Sequence, residues 1–157
     1  MTTPIHSLMT LLQQAQSERD AAHAALQRAQ AVAERAKLQA EQLLNYRRDY
    51  ERRWSEQFAQ RGAIDIVRCY QNFTQRLSQA IEQQQHSARH SVCQVQLAGD
   101  VLRSHEMRVA SIRKLIERRT RELQAAIARN EQKAADEHAQ QAWQRDASAA
   151  QSISATH

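Results

Sequence analysis

The sequence predicts an all-α protein: two long helices folded into an antiparallel coiled-coil hairpin, the second helix longer than the first. Three observations predict it. The 157 residues include only 2 Gly and 1 Pro, so almost nothing interrupts a helix. Apolar residues recur at alternating spacings of three and four over many turns. That pattern breaks once, at Gln60-Arg61-Gly62. Large apolar side chains are too sparse to offset the chain entropy of a layered globule, whereas a coiled coil needs only a narrow stripe.

Helix 1 is expected over about residues 5–60. Pro4 suits a first helical turn, with Thr3 and Ser7 as candidate caps. The stripe runs through Ile5, Leu8, Leu12, Ala15, Ala22, Leu26, Ala29, Ala33, Ala36, Ala40, Leu43, Tyr50 and Trp54, and only Arg19 and Arg47 interrupt it. A turn is expected at about 61–64, where Gly62 suits a helix C-terminus and Asp65 stands at capping distance for the next helix. Helix 2 is expected over about 65–142, on a stripe of Tyr70, Phe73, Leu77, Ala80, Gln84, Ala88, Val95, Leu102, Val109, Ile112, Ile116 and Leu123. Gly99 lies inside it as a tolerated weak spot. The hairpin takes up residues 1–146. The end, DASAAQSISATH, has no periodicity and is expected to leave 147–157 as a disordered tail.

At 1.5 Å per residue the arms would measure roughly 80 Å and 115 Å. A turn centred on Gly62–Ala63 puts Tyr46 level with Ala80 and Ile5 level with Arg121. Residues past about Arg121 then form an overhang. A lone helix is marginal in water, so this one is expected to need a partner.

No apolar run of about 18 residues exists for a membrane span. The start, MTTPIHSLMTLL, lacks the basic and long apolar regions of a secretion signal. Cys69 and Cys93 lie on one expected helix, roughly 36 Å apart, too far to bridge within it. Free thiols in a reducing cytoplasm are expected. The net charge of +5 is uneven: residues 1–45 balance, 46–121 carry +7 and 122–157 carry −2. A basic middle suits an acidic protein surface or nucleic acid equally well.

The aromatics are concentrated. Six of the seven lie between Tyr46 and Phe73, beginning with LLNYRRDYERRW. Leu43, Tyr46 and Tyr50 come level with Phe73, Leu77 and Ala80, so the rings gather at the turn end. Two readings stand side by side: a core that closes the tip, or a half-exposed interface, since Tyr46 falls off the strict seam. The run RKLIERRTR at 113–121 has five cations and one acid; it is either a solvated face or a contact for an acidic partner or nucleic acid. No aromatic is interleaved with it, which argues against single-strand binding, and no basic-region zipper is present. His86, His90 and Cys93 share a helix face at metal-ligand spacing, but Glu34 and Glu41 are poorly placed as a fourth ligand, so no metal is expected. There is no phosphate loop or nucleophile elbow, and two helices offer no water-excluding pocket, so neither catalysis nor a cofactor is expected.

The tip carries a resemblance. Tyr46 and Tyr50, then a glycine, then Tyr70, Gln71, Phe73, Leu77, Ala80, Ile81 and Gln83 reproduce a Tyr-x3-Tyr and Tyr-Gln-x-Phe-x3-Leu-x2-Ala-Ile-x-Gln pattern similar to that of the flagellar FliJ family. The match is specific over residues 38–85; elsewhere length and composition agree. The resemblance implies a cytoplasmic stalk of the flagellar type III export machine, peripherally associated with the inner-membrane apparatus. It implies that the chain ends enter the pore of a hexameric export ATPase and that the turn end meets the cytoplasmic domain of the export-gate membrane protein. It also implies an escort role for export chaperones. The gate-contacting face would fall on Gln39, Leu43, Tyr46, Tyr50, Phe73, Leu77, Ala80 and Gln84. The basic run, with Arg113, Arg118, Arg119 and Arg121, would sit near the pore mouth. Injectisome stalks share the architecture but diverge in the tyrosine elements. A coiled-coil nucleic-acid binder is the alternative of a different class, distinguished by steep salt dependence.

Overall fold

The computed structural model describes residues 4–60 and 64–155. They form two helices packed against each other: α1, Pro4–Gln60, and α2, Ile64–Ser154. Most of the expected turn, residues 61–63 with Gly62, lies outside the described residues, and Ile64 already opens α2. Asp65 stands in the first turn of α2, where a carboxylate complements the helix dipole. No helix among the described residues is long and apolar enough to cross a membrane.

The chain divides into two compact units, residues 14–109 and residues 1–13 with 110–157. In the first, α1 presents an alanine seam: Ala15, Ala22, Ala36 and Ala40 are buried. Small side chains let two backbones approach closely, but each buries little area, so stability accrues slowly along the seam. Arg19 and Arg47 fall on the seam half-buried. Their guanidinium heads reach Asp20 at 2.9 Å and Glu51 at 3.9 Å.

Across from it, α2 buries Leu77, Ile81, Ser91, Leu102 and Val109. Here the seam differs from the expected stripe. Ile81 is 3% exposed, whereas Ala80 is exposed. Ile81 carries the alternation on to Ala88 as four, three and four, whereas Ala80 would put two spacings of four in succession, and Ile81 removes more apolar surface from water than alanine does. Tyr50 packs on Phe73 with ring centroids 4.3 Å apart, as the expected levelling of Leu43, Tyr46 and Tyr50 with Ala80, Leu77 and Phe73 requires.

In the second unit, Ile112 is buried and Ile116 half-buried, as are Ile5, Leu8 and Leu12 of α1. Leu123, expected on the stripe, is exposed. Beyond it every described residue is exposed except half-buried Ala126 and Ala147. The helix nevertheless continues to Ser154, where the sequence suggested loss of order after Ala142 and a disordered tail. The physical cause is propensity: Ala and Gln are strong helix formers. Each terminal serine returns its hydroxyl to a backbone carbonyl three residues earlier, which satisfies the hydroxyl without strengthening the helix: Ser148 to Arg145 at 2.9 Å, Ser152 to Ala149 at 2.8 Å and Ser154 to Gln151 at 2.9 Å.

Candidate functional site: an aromatic tip and a basic run

Within residues 14–109, a four-residue spacing along α1 stacks Tyr46, Tyr50, Trp54 and Phe58 on successive turns. Tyr70 and Phe73 of α2 complete a continuous network. Tyr50 is its hub, with centroids 6.2 Å from Tyr46, 5.7 Å from Trp54, 6.0 Å from Tyr70 and 4.3 Å from Phe73. Tyr70 also meets Trp54 at 5.3 Å and Phe58 at 5.4 Å. Apart from Tyr50–Phe73, which is slightly closer, these separations fall within the range in which ring pairs attract beyond simple burial.

The rings are divided between two environments. Tyr50, Trp54, Phe58, Tyr70 and Phe73 are half-buried and bridge the helices. Tyr46 is 51% exposed and touches the network only through Tyr50. A two-helix hairpin has no third layer to cover such rings, so much of the network remains accessible from one side.

The eight residues of the anticipated gate-facing surface are brought together on this unit in graded exposure. Leu77 is buried, Leu43, Tyr50, Phe73 and Gln84 are half-buried, and Gln39, Tyr46 and Ala80 are exposed. Gln84 is engaged within the hairpin. Its Nε2 donates to Gln39 Oε1 at 3.0 Å and to the Ala36 carbonyl at 3.4 Å. An amide on a largely apolar seam favours the one register in which its partners stand opposite.

A second cross-helix contact was not legible from the apolar stripe alone. Glu18 Oε2 accepts from Arg108 Nη1 at 3.4 Å and lies 3.8 Å from His105 Nδ1. The signal that could have found it is heptad position: Glu18 and Arg108 both directly precede a seam residue, and such positions face each other in antiparallel pairs.

The four arginines of the basic run are exposed in the other unit. Arg118 and Arg119 both reach Glu122, at 3.3 Å and 3.7 Å, and so hold a partly neutralised patch. Arg119 and Glu122 also line a shallow groove with Pro4, Ile5 and Leu123. Such exposed pairs contribute little to stability, which leaves these groups available for other contacts. His86, His90 and Cys93 are all exposed on the surface of α2. Among the described residues no group of three His, Cys, Asp or Glu side chains is placed to hold a metal ion.

Compared with known proteins, residues 5–148 match the family model described as flagellar FliJ protein. Neither the curated proteins nor the solved structures contain a match.

Proposed function

Because the chain belongs to the flagellar FliJ family and is thereby a flagellar export-related protein, we propose that it is the non-catalytic stalk that couples the export ATPase ring to the export gate. In this reading the aromatic tip is the gate-facing surface, through Gln39, Leu43, Tyr46, Tyr50, Phe73, Leu77, Ala80 and Gln84. The basic run, through Arg113, Arg118, Arg119 and Arg121, meets the ATPase, and the exposed helix beyond Leu123 enters its pore. The protein also escorts export chaperones, and works at the cytoplasmic side of the inner membrane. The observation that carries the reading is the exposure of Tyr46 at the edge of a ring network that two helices cannot cover. Exposed aromatic area of this kind suits an interface anchor.

The mechanism follows from stiffness. A coiled coil transmits displacement because its backbone hydrogen bonds are satisfied internally and its seam resists sliding. The decisive experiment is ATP turnover by the matching export ATPase, titrated with this protein. Stimulation that saturates near one chain per six ATPase subunits is expected. Absence of stimulation by a folded, helical sample removes the pore-insertion role. For the gate arm, Tyr46→Ala should weaken binding to the gate's cytoplasmic domain at least tenfold while the helices stay folded. Steep loss of every interaction with added salt would instead favour phosphate binding.

A further inference from the structure

We propose that one flank of the hairpin within residues 14–109 is a docking groove for a third helix, and that the helix it takes is amphipathic with acidic borders. The inference extends the tip surface along the molecule and does not depend on the identity of the export gate.

The groove is defined by the residues that directly precede the seam on each helix. On α1 these recur every seventh position as Glu18, Ala25, Val32, Gln39, Tyr46 and Arg53. On α2 they are Phe73, Ala80, Ser87, Gln94, Val101 and Arg108. In an antiparallel pair these two rows border the same side of the seam. Two contacts confirm the side: Glu18 meets Arg108, and Gln39 meets Gln84 of the adjoining seam.

Such flanking positions in an isolated two-helix coiled coil are ordinarily charged, because they meet water on one side. Here they are not. Between Glu18 and Arg53 on α1, and from Phe73 to Val101 on α2, both rows are uncharged. Val32 is 50% exposed, Tyr46 51% and Val101 52%. An apolar stripe that widens from the seam onto one flank is the pattern of a helix that packs against more than one neighbour. Over the same stretch the opposite flank is more polar: it carries Lys37 and Glu51, and its large apolar residues are Leu44 and Val92 alone. From Phe73 to Val101 the groove is roughly 40 Å long at 1.5 Å per residue, which accommodates about four heptads of a partner helix.

The borders state the partner's charge. Arg28 and Arg35 edge the groove on α1, and Arg76 edges it on α2; all three are exposed. None of them forms an ion pair among the described residues. The remaining border positions over this stretch are Ala21, Gln42, Asp49, Gln83, His90 and Leu97; the carboxylate among them, Asp49, already pairs with Arg52 at 3.5 Å and so does not offset the three arginines. A partner helix with apolar residues on its buried stripe and Glu or Asp beside them would pair these guanidinium groups. One with Lys or Arg there would be repelled.

The test uses two synthetic helical peptides of about four heptads with the same Leu/Ile stripe, one flanked by Glu and one by Lys. Binding to the full chain is read by fluorescence anisotropy. The Glu peptide should bind at least tenfold more tightly than the Lys peptide. Val32→Glu and Val101→Glu, both outside the gate-facing set, should each weaken it by tenfold or more with an unchanged melting curve. The double variant R28E/R35E should invert the preference, a readout that a merely structural role would not move. Equal binding of the two peptides, or binding that ignores Val32→Glu and Val101→Glu, overturns the proposal. So does concentration-dependent dimerisation of the chain alone that Val101→Glu abolishes, because the groove would then be covered by a second copy. None of these outcomes depends on gate binding, which is scored separately with Tyr46→Ala.

Discussion

At the scale of single residues, the seam shows where polar groups stabilise this hairpin and where they do not. Ser91 is buried, but its hydroxyl donates to the Ser87 carbonyl at 3.0 Å. Thr74 stands on the same seam with Oγ1 buried and no hydrogen-bond partner. A buried unpaired hydroxyl costs desolvation without return, so Thr74→Val, which keeps the shape and removes the oxygen, should raise stability by about 1 kcal/mol in urea unfolding. The aromatic network separates in the same way. Tyr50 touches four other rings, so Tyr50→Ala should cost about 3 kcal/mol. Tyr46 is half in water and touches one, so Tyr46→Ala should cost under about 1 kcal/mol. Comparable losses for the two would mean that Tyr46 is as much a part of the core as Tyr50.

At the scale of the helices, α2 carries one avoidable weakness. Gly99 has an ordinary negative φ, and a Cβ added there meets nothing within 4 Å. Glycine is therefore required neither by backbone conformation nor by close packing, and its cost is the extra freedom it gives the unfolded chain. Gly99→Ala should raise stability by about 0.5–1 kcal/mol, visible as a higher melting temperature by circular dichroism. A drop would show that α2 needs local looseness at this point. The alanine seam of α1 raises a second matter, register. Ala15, Ala22, Ala29 and Ala36 repeat every seven residues, so a slide by one heptad changes little there. The contacts Gln84–Gln39 and Glu18–Arg108, with the ring network, supply the register that alanines cannot.

At the scale of the whole molecule, burial is unevenly shared. Residues 14–109 hold nearly all of the buried seam, while beyond Leu123 the described helix is held mainly by its own backbone hydrogen bonds. An isolated helix opens easily. Amide exchange should therefore be slow at the buried seam, for example at Ala36 and Leu102, and fast from Ile127 to Ser154. Added export ATPase should slow exchange selectively in that fast segment. Uniform protection in the free chain would mean that the exposed segment is already covered by self-association.

Much of this protein was legible in one dimension because coiled-coil physics is periodic. The near absence of glycine and proline, the alternating stripe and the break near Gly62 suffice to predict two packed helices, since helix formation and seam burial are largely local properties. The tyrosine and Tyr-Gln-x-Phe spacing by itself carries the resemblance to the flagellar FliJ family, to which the chain belongs. Three matters needed the tertiary structure. Only packing decides whether Ala80 or Ile81 occupies the seam, because both fit a loose stripe and the larger side chain wins by burying more area. Only the cross-helix contacts of Tyr50, Gln84 and Glu18 set which residues stand level, because the length of a turn does not by itself determine register. The end of α2 depends on helix propensity rather than on any stripe, so apolar periodicity carries no sign of it beyond Ala142.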